Sequence, residues 1–400
     1  MAQPLHAAFK DAFKHGWQGP VDLRLAYSWC GPPGARLLAD VLPQCQVLRS
    51  LDVEKCILGF EGSAALAPAL AKCTTLETLS TAECLIRSEG VQRLAMALQS
   101  CHALTSLDMS KNQMGSSGID ILASCLQQCP NLAHLKLGSN GLGEEGCTHI
   151  ARHFQLPYYS ALVSLDLSNN DVGDRGAVMV GLALDAIVST RSGLVQLNLA
   201  YNQLSSAVSA LMHTSSRYSV VRLSHNHVLP HFATEMCEGL EKSVGLRELT
   251  LSACNIQGHL PQSLSVLRAL GACPNLEVLD LAANHELSDE GAEAVAAGLQ
   301  GSRELKILCL EYCGITDKGA LALAAAMAGW VKLECLLLKK NGIGDASAAA
   351  MAALLRPHVA RPSSAGRTSA LRRLLCPSSS SSSMLRYTVF LPLPRARSIP

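Results

Sequence analysis

Apolar positions along the chain fall into a nine-residue pattern that returns many times. L-x-x-L-x-L-x-x-N/C is read as LRSLDVEKC at Leu48, LETLSTAEC at Leu76, LTSLDMSKN at Leu104 and LAHLKLGSN at Leu132, each 28 residues after the last. It continues as LVSLDLSNN from Leu162, LVQLNLAYN from Leu194, a degraded YSVVRLSHN from Tyr218, LRELTLSAC from Leu246, LEVLDLAAN from Leu276, LKILCLEYC from Leu305 and LECLLLKKN from Leu333. With a weaker PVDLRLAYS at Pro20, the chain holds about twelve units. The alternation at Leu107 and Met109 has the period of a strand, with Asp108 and Ser110 pointing outward. After Asn112 come Met114, Gly118, Leu122 and Leu126, and the last pair, four apart, share one face of a helix. The same series recurs as Leu142, Gly146, Ile150, Phe154 and as Ile315, Gly319, Leu323, Met327. Each unit therefore predicts a strand, a turn and a helix. Stacked units predict an α/β solenoid with a concave parallel β-sheet and convex helices.

Asn stands at the ninth position in Asn112, Asn140, Asn170, Asn202, Asn226, Asn284 and Asn341, where a side chain that both donates and accepts satisfies backbone groups freed at the strand end. Cys56, Cys84, Cys254 and Cys313 replace it. Cys45, Cys73, Cys101, Cys129 and Cys273 each fall three residues before the first Leu of a strand, so nine of the sixteen cysteines follow the repeat and are expected to be small buried hydrophobes. The pattern resembles the leucine-rich repeat family, in particular its ribonuclease-inhibitor-like subfamily with repeats of about 28 to 29 residues, and the resemblance covers residues 20–356. It implies a horseshoe-shaped solenoid that works as a binding scaffold.

The ends of a solenoid need caps. Leu5, Phe9 and Phe13 recur every four residues, which predicts an amphipathic capping helix over residues 1–19. Residues 357–400 form a low-complexity Arg/Ser/Pro tail expected to be mostly disordered, with one degenerate strand through Leu371, Leu374 and Cys376 as the alternative. A net charge of +1 hides an asymmetry: residues 346–400 carry eight Arg and no Asp, Glu or Lys, so residues 1–345 carry seven net negative charges. The basic tail lacks interleaved aromatics, so nucleic acid is not the expected partner. No uncharged apolar run reaches the length of a membrane span, and Lys10, Asp11 and Lys14 interrupt the start, so membrane insertion and secretion are not expected. Without an Asn-x-Ser/Thr sequon either, the cysteines predict reduced thiols and a cytoplasmic protein, with nuclear or ciliary locations open. The step from Leu194 to Tyr218 is only 24 residues and lacks much of the helix.

Chemistry is sparse. No phosphate-cradling loop, nucleophile elbow or zincin helix occurs, so no catalytic residue, metal or cofactor is expected. Cys147, His149 and His153 have helix-face spacing but flank the apolar anchors Ile150 and Phe154, which favours a surface helix over a metal site. His225, His227 and His231 cluster around one turn in the short repeat.

Variable polar residues concentrate at strand positions five and eight. Position five gives Arg24, Asp52, Asp108, Lys136, Asp166, Asn198, Arg222 and Asp280; position eight gives Tyr27, Lys55, Glu83, Lys111, Tyr201, His225, Tyr312 and Lys340. These sixteen are the candidate contacts for another protein, because Tyr and Arg suit interface hot spots and a rigid sheet lowers the ordering cost of association. A small-molecule substrate is not expected. Asp108, Lys136 and Asp166 are expected outside the core, so reversing their charge should leave stability nearly unchanged. The resemblance also admits a second class, because Ran GTPase-activating proteins are similar in repeat length and in the N-x-[LI]-x-x-x-G turn. Their pattern places an Arg in a lengthened loop of an early repeat and an acidic segment at the C-terminus. Here the first five units are uninterrupted, Arg87 is only the first turn residue available, and the tail is basic.

Overall fold

The structure is a computed structural model describing residues 21–28, 30–45, 47–154, 158–188, 195–214, 218–228, 230–351 and 388–390. The expected capping helix at 1–19, the strand alternative at Leu371–Cys376 and nearly all of the tail lie outside these residues. The chain divides into two compact units, residues 1–207 and 208–400.

In the first unit, strands β1 (Val21–Arg24), β2 (Leu48–Asp52), β3 (Thr78–Ser80), β4 (Ser106–Asp108), β5 (His134–Lys136), β6 (Ser164–Asp166) and β7 (Val195–Asn198) alternate with helices. Those helices are α1 (Gly31–Val41), α2 (Gly59–Leu70), α3 (Arg87–Leu98), α4 (Gly115–Leu126), α5 (Gly143–His153) and α6 (Gly173–Val188), and α7 (Ala207–Thr214) starts at the end of the unit. Consecutive strands pair in parallel, like position against like: Ser106 faces His134, Leu107 faces Leu135 and Asp108 faces Lys136. The second unit repeats the plan with β8 (Tyr218–Arg222), α8 (Ala233–Lys242), β9 (Glu248–Thr250), α9 (Pro261–Ala269), β10 (Val278–Asp280), α10 (Ser288–Gly298), β11 (Ile307–Cys309), α11 (Asp317–Ala326) and β12 (Cys335–Leu337). Within the basic tail, β13 (Thr388–Phe390) lies antiparallel against β12.

The leucines explain the layers. Leu104, Leu107 and Met109 from the strand segment and Leu122 and Leu126 from α4 are completely buried. Each fully buried side chain of this kind contributes about 1.5–3 kcal/mol from the water it sheds. Gly118 lets the turn before α4 fold tightly onto the helix, because a Cβ there would stand 2.8 Å from the Met114 Cβ of the same coil. The coil through Tyr201 is the short one: α7 has eight residues against twelve in α4.

Where each strand ends, its backbone groups pass to a side chain of the next coil. Asn112 Nδ2 donates to the carbonyls of Thr81 (2.8 Å) and Met109 (3.0 Å), while its Oδ1 accepts the amides of Cys84 (3.0 Å) and Ile86 (3.3 Å). Asn140 does the same for the coil of Asn112, and Asn170 and Asn202 extend the ladder. In the second unit Asn284 and Asn341 repeat it. The ninth-position cysteines imitate the amide. Cys84 Sγ donates to Val53 O at 2.9 Å, Cys254 Sγ to Leu223 O at 3.3 Å and Cys313 Sγ to Leu281 O at 3.2 Å. Sulfur is the weaker partner in both directions.

Helix starts are capped across coils. Asp174, in the first turn of α6, gathers the amides of Ser205 (2.7 Å), Ser206 (3.1 Å) and Ala207 (3.0 Å) at the start of α7. Asp289 accepts the amides of Thr316 and Gly319 at the start of α11, and Asp317 accepts that of Gly344. Partial burial of Asp174 opposes its charge, but the hydrogen bonds from Ser205, Ala207 and Ser206 outweigh it and hold the carboxyl down to about 2.

Two outcomes follow. Asn112→Ala strands the amides of Cys84 and Ile86 and the carbonyl of Thr81 inside the stack, Met109 O keeping its bond from Asn140 Nδ2, and urea titration should show a loss of about 2–4 kcal/mol, taking about 1–3 kcal/mol for each group left unsatisfied and allowing for relaxation; Asn112→Cys, which copies Cys84, should lose markedly less. Because the Asp174 pKa is depressed on folding, its stabilisation is present above the ordinary carboxylate value of 3.8 and lost as pH falls toward about 2. The urea midpoint of Asp174→Asn should therefore fall less steeply than that of the parent between these two values.

Candidate interface on the strand face

Each parallel coil presents a column of side chains to its neighbours at the same register. At position five, the acids do two things at once. Asp52, Asp108, Asp166 and Asp280 each accept, through Oδ1, the backbone amide two residues on, at 2.9–3.0 Å, and Asn198 does so at 3.1 Å. These are Asx-turns that bend the chain out of the strand. All five side chains are half-buried. The expectation that Asp108 and Asp166 tolerate charge reversal without loss of stability is therefore corrected: a lysine there abandons the amides of Ser110 and Ser168. Lys136, exposed, sits 3.5 Å from Asp108 Oδ2 and makes no such bond to the backbone among the described residues.

Position eight lies past the strand, not within it. All twelve residues there have left-handed backbones, with φ from 52° at Ala253 to 63° at Tyr27. The amide of position eight donates to the carbonyl of position seven in the next coil, as Lys111 N does to Gly138 O at 2.8 Å. Hydrogen bonding between coils thus continues while the left-handed step swings the side chain onto the rim of the sheet. This is why Tyr27, Tyr201 and Tyr312 are 58%, 52% and 50% exposed in a chain whose other large side chains are mostly buried.

Of the sixteen candidate contacts, Arg24, Tyr27, Lys111, Lys136, Tyr201, His225, Tyr312 and Lys340 are exposed. Asp52, Lys55, Glu83, Asp108, Asp166, Asn198, Arg222 and Asp280 are half-buried. The structure joins several of them. Glu83 pairs with Lys111 and, at 3.6 Å, with Lys55; the hydrogen bond from Lys111 holds its carboxyl below the usual range. Lys55 Nζ lies 4.4 Å from the centre of the Tyr27 ring, whose hydroxyl donates to Glu54 at 3.2 Å. In the second unit, Lys340 stands 5.2 Å from the Tyr312 ring, and His285 meets that ring edge-on at 4.2 Å. Arg222 pairs with Glu248 at 2.7 Å.

A further column went unread in the sequence. Position two carries Arg49 beside Glu77 at 3.4 Å, and Glu277 between Arg247 (3.1 Å) and Lys306. The alternating sign at identical register was the available signal. Arg87 opens α3 with φ 58°, where Gly59, Gly115, Gly143 and Gly173 stand in other coils, and its side chain is exposed. His149 Nδ1 and His153 Nε2 both reach Asp120 Oδ1 at 2.9 Å, bridging α5 to α4, while Cys147 is buried in the core. His225, His227 and His231 are all exposed.

Among known proteins, the Leucine Rich repeat family matches residues 100–123, 128–151, 161–181, 272–296 and 301–324, and a second model of the same repeat matches 245–267. Pig (Sus scrofa) ribonuclease inhibitor is 30% identical over 163 residues, which is 39% of this chain and 34% of that protein. Among solved structures, an internalin from Listeria monocytogenes aligns over 87% of this chain and 92% of its own at 14% identity, TM-score 0.51. The yeast Rad7 and Elc1 complex contains a chain aligning over 85% of this one and 77% of its own at 15% identity, TM-score 0.51. At these identities the two structures speak to the fold alone. Among the described residues, no helix is long and apolar enough to cross a membrane.

Asp108→Asn keeps the acceptor for Ser110 and should melt with the parent. Asp108→Lys should lose about 0.5–1.5 kcal/mol, the net worth of one hydrogen bond, by thermal denaturation followed by circular dichroism.

Proposed function

Since the chain is a leucine-rich repeat protein of the ribonuclease-inhibitor-like kind, we propose that it is a non-catalytic scaffold that binds another protein on its strand face and the adjoining rim. The observation that carries this reading is the exposure of Tyr27, Tyr201 and Tyr312 at one register position, all with left-handed backbones, those of Tyr27 and Tyr312 hydrogen-bonded to the next coil. Fixed aromatic side chains enter an interface with little ordering cost. Lys111, Lys136 and Lys340 stand beside acids and tyrosines rather than in a field of one sign, so recognition rests on a mixed pattern and not on bulk charge. The scaffold requires no cofactor, metal or small-molecule substrate, and neither membrane nor nucleic acid enters the reading. The free thiols among the described residues suit a reducing compartment such as the cytoplasm.

The test is capture from a lysate on the full chain beside a variant carrying Lys136→Glu, Tyr201→Ala and Tyr312→Ala. Asp108 and Asp166 stay intact because their carboxylates hold the turns. Loss of a hot spot weakens binding by about 2 kcal/mol or more, so a partner of the strand face should be depleted by tens-fold on the variant. Equal retention on both would move the interaction to the helices or the tail.

A further inference from the structure

Coil after coil hands its backbone to a successor. The amide at position six donates to the carbonyl at position five of the next coil, as Leu281 N does to Cys309 O at 2.9 Å and Leu310 N to Leu337 O at 2.8 Å. After β12 no further coil follows among the described residues. The Cys335 amide and the Leu337 carbonyl are spent inward, on Lys306 O (3.0 Å) and Leu310 N, so by the alternation of a strand the N–H and C=O of Leu336 face the outer edge. Leu336 and Leu338 are only 1% and 4% exposed, and backbone groups at that depth need partners. The tail supplies them. β13 lies antiparallel on this edge and sets Val389 opposite Leu336, Phe390 opposite Cys335 and Thr388 opposite Leu337. The burial of Cys335 agrees. An outermost strand lacks one neighbour, so its outward residues should be the most exposed of their column; yet Cys335 is buried, while Ser106, Ser164, Glu248, Val278 and Ile307 at the same position are half-buried. The tail's own sequence fits as well: among Arg, Ser and Pro, residues 387–391 read YTVFL, a β-prone run that ends at Pro392, which cannot donate to a ladder.

We propose that the outer edge of β12 is a strand-docking site whose ligand is the chain's own segment 387–391, a removable intramolecular plug that closes the sheet. Bonded pairs in an antiparallel ladder fall at alternate residues, so Leu336 exchanges its bonds with Val389, and the same register offers Leu338 its partner at Tyr387. Main-chain hydrogen bonds supply the affinity in recognition of this kind, and the side chains at alternate positions supply the selectivity. Here Leu336 and Leu338 lie on the core face of the edge, and Cys335 and Leu337 on the other. Both faces are apolar, which selects an apolar strand. A ladder of three residues is weak by itself, but residues 352–387 tether it, and a tethered ligand acts at an effective concentration on the order of millimolar. The plug is thus held in place and still displaceable. Docked, it denies the edge to a second copy of the chain, for which an open strand would be a template; released, it frees the edge and the basic tail together.

Hydrogen exchange of the full chain, read by mass spectrometry at the peptide covering residues 333–341, tests this. Exchange there should be slower by about tenfold in the parent than in Val389→Pro, which removes the amide facing Leu336. Val389→Thr keeps that amide and should match the parent. Peptides through Leu107 and Leu279 should exchange alike in all three chains, which separates loss of the plug from loss of the fold. A synthetic peptide of residues 384–395 should restore protection of 333–341 in Val389→Pro saturably, and should change the parent far less because its edge is taken. Equal exchange in the parent and Val389→Pro, or no restoration by the peptide, would overturn the proposal. So would protection that grows with protein concentration alongside a dimer mass in light scattering, since the strand would then come from a second copy.

Discussion

A strand that must turn back into a helix after three residues strands its own amides and carbonyls in an apolar interior, and the fold depends on how they are met. Each coil solves the problem for the coil before it. Asn112 closes the strand end of the Cys84 coil, and Asn140 closes that of Asn112. Aspartates repeat the device at the helices, with Asp174 and Asp289 capping the start of the following helix. An isolated coil would bury polar groups without partners, which is why order here is a property of neighbours.

The second constraint is the left-handed step at position eight. L-residues adopt it reluctantly, yet tyrosines, lysines, a glutamate, a histidine and alanines all do so at this place. The backbone is held by the amide-to-carbonyl bond between coils, so the side chain is left to be chosen for other reasons. The sheet surface consequently has two zones of different freedom. At position five the acid is committed to a turn; at position eight the side chain is available to the surroundings.

Much of this was legible in the sequence, because leucines at the first, fourth and sixth places and asparagine at the ninth have one physical purpose each. Leu107, Met109, Leu122 and Asn112 occupy the places that periodicity assigned. The roles of Asp108 and Asp174 were not legible, since an outward carboxylate and a capping carboxylate share one spelling and differ only in which amide lies within 3 Å. Position eight was read as strand because alternation does not reveal the sign of φ.

The like-on-like pairing of the strands has a consequence for how such a chain changes over time. Because Thr81 O and Met109 O are offered to the same kind of amide in successive coils, removing one whole 28-residue unit would present Asn140 to the position that Asn112 had served. Removal of a single residue inside the nine-residue segment would put that segment's own leucines and asparagine out of step, whereas the step from one segment to the next ranges from 24 residues (Leu194 to Tyr218) to 32 (Leu162 to Leu194). Length in this architecture is therefore rigid along the strand and its turn and elastic in the helical stretch that follows, so coils can be trimmed or extended there while like positions still meet in the sheet.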